Sequence, residues 1–123
     1  MHAEERALAQ YADMAELLAR VDDDRELLVE LLKLFQEDYP GLRDALQRAV
    51  ETGDGNQIEQ AAHKLKGMLA SLSLKPASRL AADVETAARA GDTKGALEAM
   101  AELDREQTGL AKAVASFLEG GQP

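Results

Sequence analysis

Apolar residues along this chain recur in alternating steps of four and three, which is the spacing of one face of an α-helix. The clearest run lies near the carboxyl end and comprises Ala96, Met100, Leu103, Gln107, Leu110, Val114 and Phe117. No segment shows the sustained period-two alternation of a half-buried β-strand. Strong helix formers also dominate the composition, and Trp is absent. The sequence therefore predicts an all-α protein.

The amino-terminal half is expected to hold a leader helix and one long helix. A modest amphipathic stripe predicts the leader over residues 4–20. In "VDDDRE", Asp23 stands three residues before Glu26, as in a capping box, so the next helix is expected to begin there. Pro40 lies inside its apolar pattern. Because the apolar phase survives on both sides, we expect a kinked but continuous helix.

Three further helices follow, separated by short turns. Gly53 suits a left-handed helix end, and Asn56 with Glu59 has the spacing of a capping box that opens the next helix. Pro76 suits a first helical turn, and Gly91 is expected to end that helix near Ala90. Short loops between long helices favour antiparallel neighbours. We therefore predict an antiparallel up-down four-helix bundle with an additional short N-terminal helix.

Length and charge limit the possible functions. The 123 residues suit one domain over 1–123, with a core at about 13–118 and a frayed tail at 119–123. Without Cys there is no disulfide, thiolate nucleophile or sulfur-based zinc site. No signal peptide or apolar run of membrane-spanning length is present, so a cytoplasmic location without membrane insertion is expected. The net charge of −9 argues against nucleic acid as a partner.

The stretch "AAHKLKG", residues 61–67, places an imidazole, two ammonium groups and a glycine on one helix. The stripe predicted to face the core contains Ile58, Ala62, Leu65, Leu69 and Leu72. At about 100° per residue, His63 lies roughly 140° from that stripe and points to solvent, with Lys66 on the same side. Gly67 lies nearly opposite the core, and Ala70 lies close to the bearing of His63. The helix thus presents the imidazole beside small residues.

Acid–base catalysis and metal binding fit this face poorly. The first needs a pocket and an orienting partner, and no carboxylate group is evident in the sequence to serve as one. The second needs several convergent ligands, whereas His2 and His63 are the only imidazoles. An exposed imidazole can instead accept a phosphoryl group if another protein holds the Mg²⁺ and the aspartate. Lys66 would then balance the phosphoryl charge, and Gly67 and Ala70 would admit the partner.

The same residues resemble the signature of histidine-containing phosphotransfer (HPt) domains, approximately A-H-x-L-K-G. "LLKLFQEDYPGLRDALQRAVETGD" resembles the helix before that signature and "ADVETAARAGD" the segment after it, so the likeness covers about residues 13–117. The resemblance implies a helical bundle that relays phosphoryl groups between receiver-domain aspartates in a two-component phosphorelay. It implies His63 as the phosphorylated residue, with Lys66 and Gly67 in support. Ser73 departs from the Gly of many members, and Met68 and Leu69 from the small residues favoured there.

The leading hypothesis is thus a phosphorelay intermediate without kinase activity of its own. Neutral His63, through Nε2, would take the phosphoryl group from one receiver aspartate and pass it to another. The chain would need no cofactor, since the receiver carries the Mg²⁺. Docking is expected at Gly67, Ala70, Lys64 and Met68, although a plain solvated charge is the simpler interpretation of Lys64. A monomer is expected, either complete in itself or a fragment of a hybrid histidine kinase.

Two other interpretations remain open at the level of sequence. A docking-only bundle would bind a receiver or kinase and regulate it without carrying phosphate. A plain structural bundle would bind no receiver at all. Replacing His63 by Gln separates the first from a carrier, because a docking protein would keep its regulatory effect.

Overall fold

The protein is all-helical over residues 2–120, which are the residues that this computed structural model describes. The elements in chain order are α1 (Ala3–Ala9), α2 (Met14–Arg20), α3 (Arg25–Thr52), α4 (Gly55–Ser71), α5 (Lys75–Arg89) and α6 (Thr93–Gly120). Packing contacts join α4 to both α3 and α5, and α6 to α5, α3 and α1. No described helix is both long and apolar enough to cross a membrane.

The predicted apolar stripes form the core. On α6, every member of the four-and-three run except Gln107 is buried, and on α4 the whole predicted stripe is buried. On α3, Leu28, Leu32, Phe35 and Leu46 are buried. The helix continues through Pro40, so the predicted continuity is confirmed, while the kink stays a prediction. Burial of such side chains stabilises the fold by about 1.5–3 kcal/mol each, so the stripes determine how the helices pack.

The prediction of one leader helix over 4–20 was wrong, because the chain forms two short helices there. Backbone N–H groups of Tyr11 and Ala12 donate to the Leu8 carbonyl and close α1, and Asp13 then begins a new helix. The Asp13 carboxylate accepts from the Glu16 N–H at 3.1 Å, which is an N-cap. A cap thus overrides a continuous apolar stripe.

Two other predicted helix starts are displaced by one or two residues. The N-cap of α3 is Asp24 rather than Asp23, because Asp22 and Asp23 adopt left-handed backbone conformations with φ of 51° and 58°. The N-cap of α4 is Asp54 rather than Asn56. Its carboxylate accepts from the N–H groups of residues 56 and 57, so Asn56 already lies inside the first turn.

The remaining predicted boundaries hold, apart from the tail. Gly53 (φ 73°) and Gly91 (φ 74°) both take left-handed conformations at helix ends, and Pro76 lies in the first turn of α5. Of the tail predicted to fray at 119–123, residues 119 and 120 continue α6, and 121–123 lie outside the described residues.

The turn between α4 and α5 is fixed by the amino-terminal helices. Ser73 is buried and left-handed, with φ 55°, which is a conformation that favours glycine. Its carbonyl accepts from the Asp13 N–H at 2.9 Å, and its hydroxyl donates to Glu16 at 3.0 Å. Arg20 donates to the carbonyls of Ala70 and Ser71 at the end of α4. These hydrogen bonds hold α2 against the end of α4.

Two glycine substitutions should change stability in opposite directions. Gly53→Ala places a side chain in a left-handed position and should lower the free energy of unfolding by about 1 kcal/mol. Gly41 lies inside α3 with no heavy atom within 4 Å of an added Cβ, so Gly41→Ala should raise it by about 0.5–1 kcal/mol. Urea denaturation of both variants measures the two shifts. A gain of stability in Gly53→Ala would contradict the assigned end of α3.

Candidate functional site

The candidate site lies on the exposed side of α4. The buried stripe Ile58, Ala62, Leu65 and Leu69 fixes the rotation of this helix against the core. His63 therefore lies on the outer side, and 67% of its side chain is exposed, as the helical projection predicts. The imidazole is held on a rigid helix within reach of a partner.

A buried carboxylate on α5 contacts the imidazole of His63 from the α5 side of α4. Glu85 has a side chain only 8% exposed, and its Oε2 lies 2.6 Å from Nδ1 of His63. Its other oxygen, Oε1, accepts from the Lys66 ammonium at 2.7 Å. One carboxylate thus fixes the histidine and the lysine of the motif at the same time.

Lys66 and His63 stabilise the ionised form of Glu85. The Lys66 ammonium lowers the pKa of Glu85, burial opposes this by raising it, and the hydrogen bond from His63 lowers it further. The net effect is a pKa below the ordinary value of 4.5, so the carboxylate is ionised at neutral pH. An ionised carboxylate can only accept hydrogen bonds, so Nδ1 of His63 carries the proton. In the neutral imidazole, Nε2 then holds the free lone pair.

A second ion pair lies one helical turn from the first. Arg89 donates to Glu59 at 2.9 Å. Glu59 precedes His63 by four positions on α4, and Arg89 follows Glu85 by four positions on α5. Both pairs join α4 to α5 along the same seam. An exposed pair such as Glu59–Arg89 contributes less than about 1 kcal/mol to stability.

Gly67 is exposed, and an added Cβ would meet no heavy atom within 4 Å. Glycine inside a helix costs about 1 kcal/mol relative to alanine. Packing within the described chain supplies no reason for this cost, because the space beside Gly67 is open. The position leaves the surface next to His63 and Lys66 flat.

The other predicted docking residues are spread over the two sides of α4. Lys64 is exposed and lies towards α3, where it lines a groove with Arg48. Met68 is half-buried and packs against the core. Ala70 is exposed, but its carbonyl is occupied by Arg20 from α2. The structure therefore joins His63 and Lys66 through Glu85 and leaves the docking role of the others as a prediction.

Glu85 was missed at the sequence level, and the expectation that this face lacks an orienting carboxylate was wrong. A signal was present in the printed sequence. Glu85 stands within the apolar stripe of α5, four residues after Ala81 and three before Ala88, both of which are buried. A charged residue at a core-facing position needs a partner, and the cations of the preceding helix were the obvious source.

Within residues 2–120, no group of three or more His, Cys, Asp or Glu residues is arranged to hold a metal ion. Glu85, the carboxylate at the site, already accepts from His63 and Lys66.

Comparison with known protein families identifies the family of this chain. The family model described as "Hpt domain" matches residues 30–113, from within α3 to within α6. No curated protein matches the chain. Because the family model covers well over half of the sequence, the chain belongs to the Hpt domain family.

Membership of this family places the chain in two-component phosphorelay signalling. Members of the family are phosphotransfer intermediates rather than kinases, and their partners are other proteins of the phosphorelay. The two amino-terminal helices, α1 and α2, lie outside the matched segment.

The buried carboxylate should make stability depend on pH. The pKa of Glu85 is lowered in the folded protein. The ionised carboxylate therefore stabilises the fold fully above pH 4.5, and this stabilisation is lost as the pH falls through the lowered pKa. Glu85→Gln should therefore lower the free energy of unfolding at pH 7 by about 1–2 kcal/mol, with the difference from the native chain shrinking in acid. Denaturant titrations between pH 7 and pH 3 measure this difference.

The matched control is Glu59→Gln, which removes a more exposed carboxylate from the neighbouring pair on the same helix seam. We expect a change below about 0.5 kcal/mol. A difference between native protein and Glu85→Gln that stays constant down to pH 3 would contradict the charged state assigned to Glu85.

Proposed function

We propose that His63 accepts a phosphoryl group from the aspartyl phosphate of a receiver domain and donates it to the aspartate of another receiver. The observation that carries this proposal is the 2.6 Å contact between Nδ1 of His63 and the ionised, buried carboxylate of Glu85. This contact keeps the proton on Nδ1 and leaves Nε2 as the nucleophile on an exposed surface. In the described part of the chain, Nε2 has no hydrogen-bond partner.

The transfer step conserves atoms and charge within the two proteins. The Nε2 lone pair attacks the phosphorus atom, and the bond between phosphorus and the aspartyl oxygen breaks. The aspartate carboxylate leaves with that electron pair. The proton stays on Nδ1, donated to Glu85, which stabilises the positive charge that develops on the ring. Attack by a second receiver aspartate reverses these changes.

Lys66 has a charge-balancing role in this proposal. Its ammonium is tethered to Glu85 by one hydrogen bond and is 30% exposed, so its remaining protons are available to phosphoryl oxygens. This matters because a phosphoryl dianion would otherwise approach a buried carboxylate of the same sign. The receiver would supply Mg²⁺ and the rest of the charge stabilisation, and this chain would need no cofactor of its own.

The proposal also covers the arrangement of the helices, the oligomeric state and the location of the protein. We expect helices α3–α6 to form an antiparallel up-down bundle that works as a monomer in the cytoplasm. It would act without kinase activity, as the carrier between two receivers.

Phosphoryl transfer from receivers tests the acceptor directly. Receiver domains phosphorylated on aspartate are mixed with the native chain in the presence of Mg²⁺, and intact mass is recorded without acid, which preserves the P–N bond. The native chain should gain one phosphoryl group. His63→Gln should gain none while keeping its fold, and His2→Gln, which removes the only other imidazole, should be labelled like the native chain.

Each outcome of this assay has a distinct meaning. Label on His63→Gln would show that the acceptor is a different residue. Receiver binding by the native chain without any transfer would support the docking-only alternative. Absence of both binding and transfer across the receiver panel would leave a structural bundle and contradict the proposal.

Gly67 offers a test that separates docking from folding. Because the space beside it is open, Gly67→Leu should preserve or raise the free energy of unfolding. The new side chain would hold a receiver away from Nε2, and displacement of about 1 Å can cost about a hundredfold in rate. We therefore expect transfer to slow by about tenfold or more. Ala111→Leu on the exposed side of α6 is the control and should transfer normally.

A slowed Gly67→Leu variant that has also lost stability would point to a structural glycine instead. Unchanged transfer would show that receivers do not approach over this part of α4.

A further inference from the structure

A groove runs beside the candidate site between α3 and α4. It has a volume of about 320 Å³ and is open to solvent along its length. Its lining residues are Ala45, Arg48, Ala49, Thr52, Gln57, Gln60, Ala61 and Lys64. Alanine side chains line the bottom of the groove, and the polar ends of the longer side chains line its rims.

Both charges in this groove are positive, and neither has a partner among the residues that the structure describes. Arg48 stands on the α3 wall and Lys64 on the α4 wall, and neither forms an ion pair or hydrogen bond within residues 2–120. No carboxylate lines the groove. By contrast, the cations between α4 and α5 are paired: Lys66 with Glu85, and Arg89 of α5 with Glu59.

This local charge is opposite to that of the whole chain. The protein carries a net charge of −9, so two unpaired cations facing each other across one groove form a positive site in a negative surround. Such a site attracts acidic groups of a partner at close range, while the overall charge opposes anionic polymers such as nucleic acid.

The groove is continuous with the surface around the imidazole. Lys64 follows His63 directly, and Gln60 lies one turn before it on the same helix. Beyond the groove, one helical turn further from the loop at Gly53, α3 carries Gly41 and α4 carries Gly67. At both glycines an added Cβ would meet no heavy atom within 4 Å. A partner docked over His63 would therefore meet the groove without obstruction.

We propose that this α3–α4 groove selects the receiver, by taking an element of the receiver whose acidic side chains pair with Arg48 and Lys64. The inference rests on the proposed phosphoryl transfer, since it needs a receiver aligned with His63. The positive charge of the groove favours receivers whose docked element carries acidic side chains. Charges at the rim of an interface act mainly on association rate and discrimination between partners.

The test uses the full chain and isolated receiver domains that exchange phosphoryl groups with it. Arg48→Gln/Lys64→Gln is compared with Lys94→Gln/Lys112→Gln, which removes two unpaired cations from α6 and changes the net charge equally. Dissociation constants are measured at about 0.05 M and about 0.5 M salt, where screening differs strongly. At low salt the groove variant should bind about tenfold more weakly, and the α6 variant should match the native chain.

The salt dependence gives the second readout. The native chain should lose affinity as salt rises, and the groove variant should lose much less, because its charge pairs are already absent. A charge exchange completes the test: Arg48→Glu should bind poorly to the native receiver and recover binding when a facing receiver carboxylate is replaced by Lys. Equal weakening by the groove and α6 variants would reduce the effect to net charge and overturn the proposal, as would no weakening by either.

Chemical labelling keeps this test separate from the proposed function. Phosphoramidate, a small donor, needs no docking surface, so it should label His63 in the native chain without any receiver. Labelling of His63 without receiver binding by the native chain would overturn the groove assignment and leave the acceptor intact. Failure of labelling and of transfer in the native chain would instead overturn the proposed function.

Discussion

The carboxylate of Glu85 is the group on which the arrangement of the candidate site depends. Its two oxygens are occupied by different partners, Nδ1 of His63 at 2.6 Å and the Lys66 ammonium at 2.7 Å. Burial alone would raise the pKa of Glu85, but the donated hydrogen bonds, chiefly that of Lys66, lower it. The ionised form in turn keeps the proton on Nδ1. The ion pair of Glu85 with Lys66 thereby selects the tautomer of His63 that leaves Nε2 free.

This contact is maintained by helix packing on both sides of the α4–α5 turn. The buried stripes of α4 and α5 set their rotation, so that His63 points outwards while Glu85 remains covered. At the turn, Ser73 takes a left-handed conformation and is tied to α2 through Asp13 and Glu16. Ser73 can take this conformation because the hydrogen bond that its carbonyl accepts and the one that its hydroxyl donates compensate for the conformational cost.

Charge is distributed unevenly around α4. Towards α5 the cations are neutralised by Glu85 and Glu59, which leaves an ordered, nearly neutral surface around the imidazole. Towards α3, Arg48 and Lys64 on the groove rims have no partner in the described part of the chain. The side of α4 towards α5 thus holds the ordered imidazole, and the side towards α3 carries two cations exposed to solvent. The flat surface at Gly67 separates them.

Local sequence signals determined the helices and the exposed position of His63. The four-and-three spacing of apolar residues requires one buried face on α4, and His63 falls outside it wherever the helix packs. The same signals misplaced the leader helix, because capping by Asp13 outweighed a continuous stripe. Only the tertiary structure decided that Glu85 meets His63 and Lys66, which lie 22 and 19 positions away in the sequence. That contact depends on how α4 and α5 are rotated and offset when they pack, and no spacing within either helix encodes it.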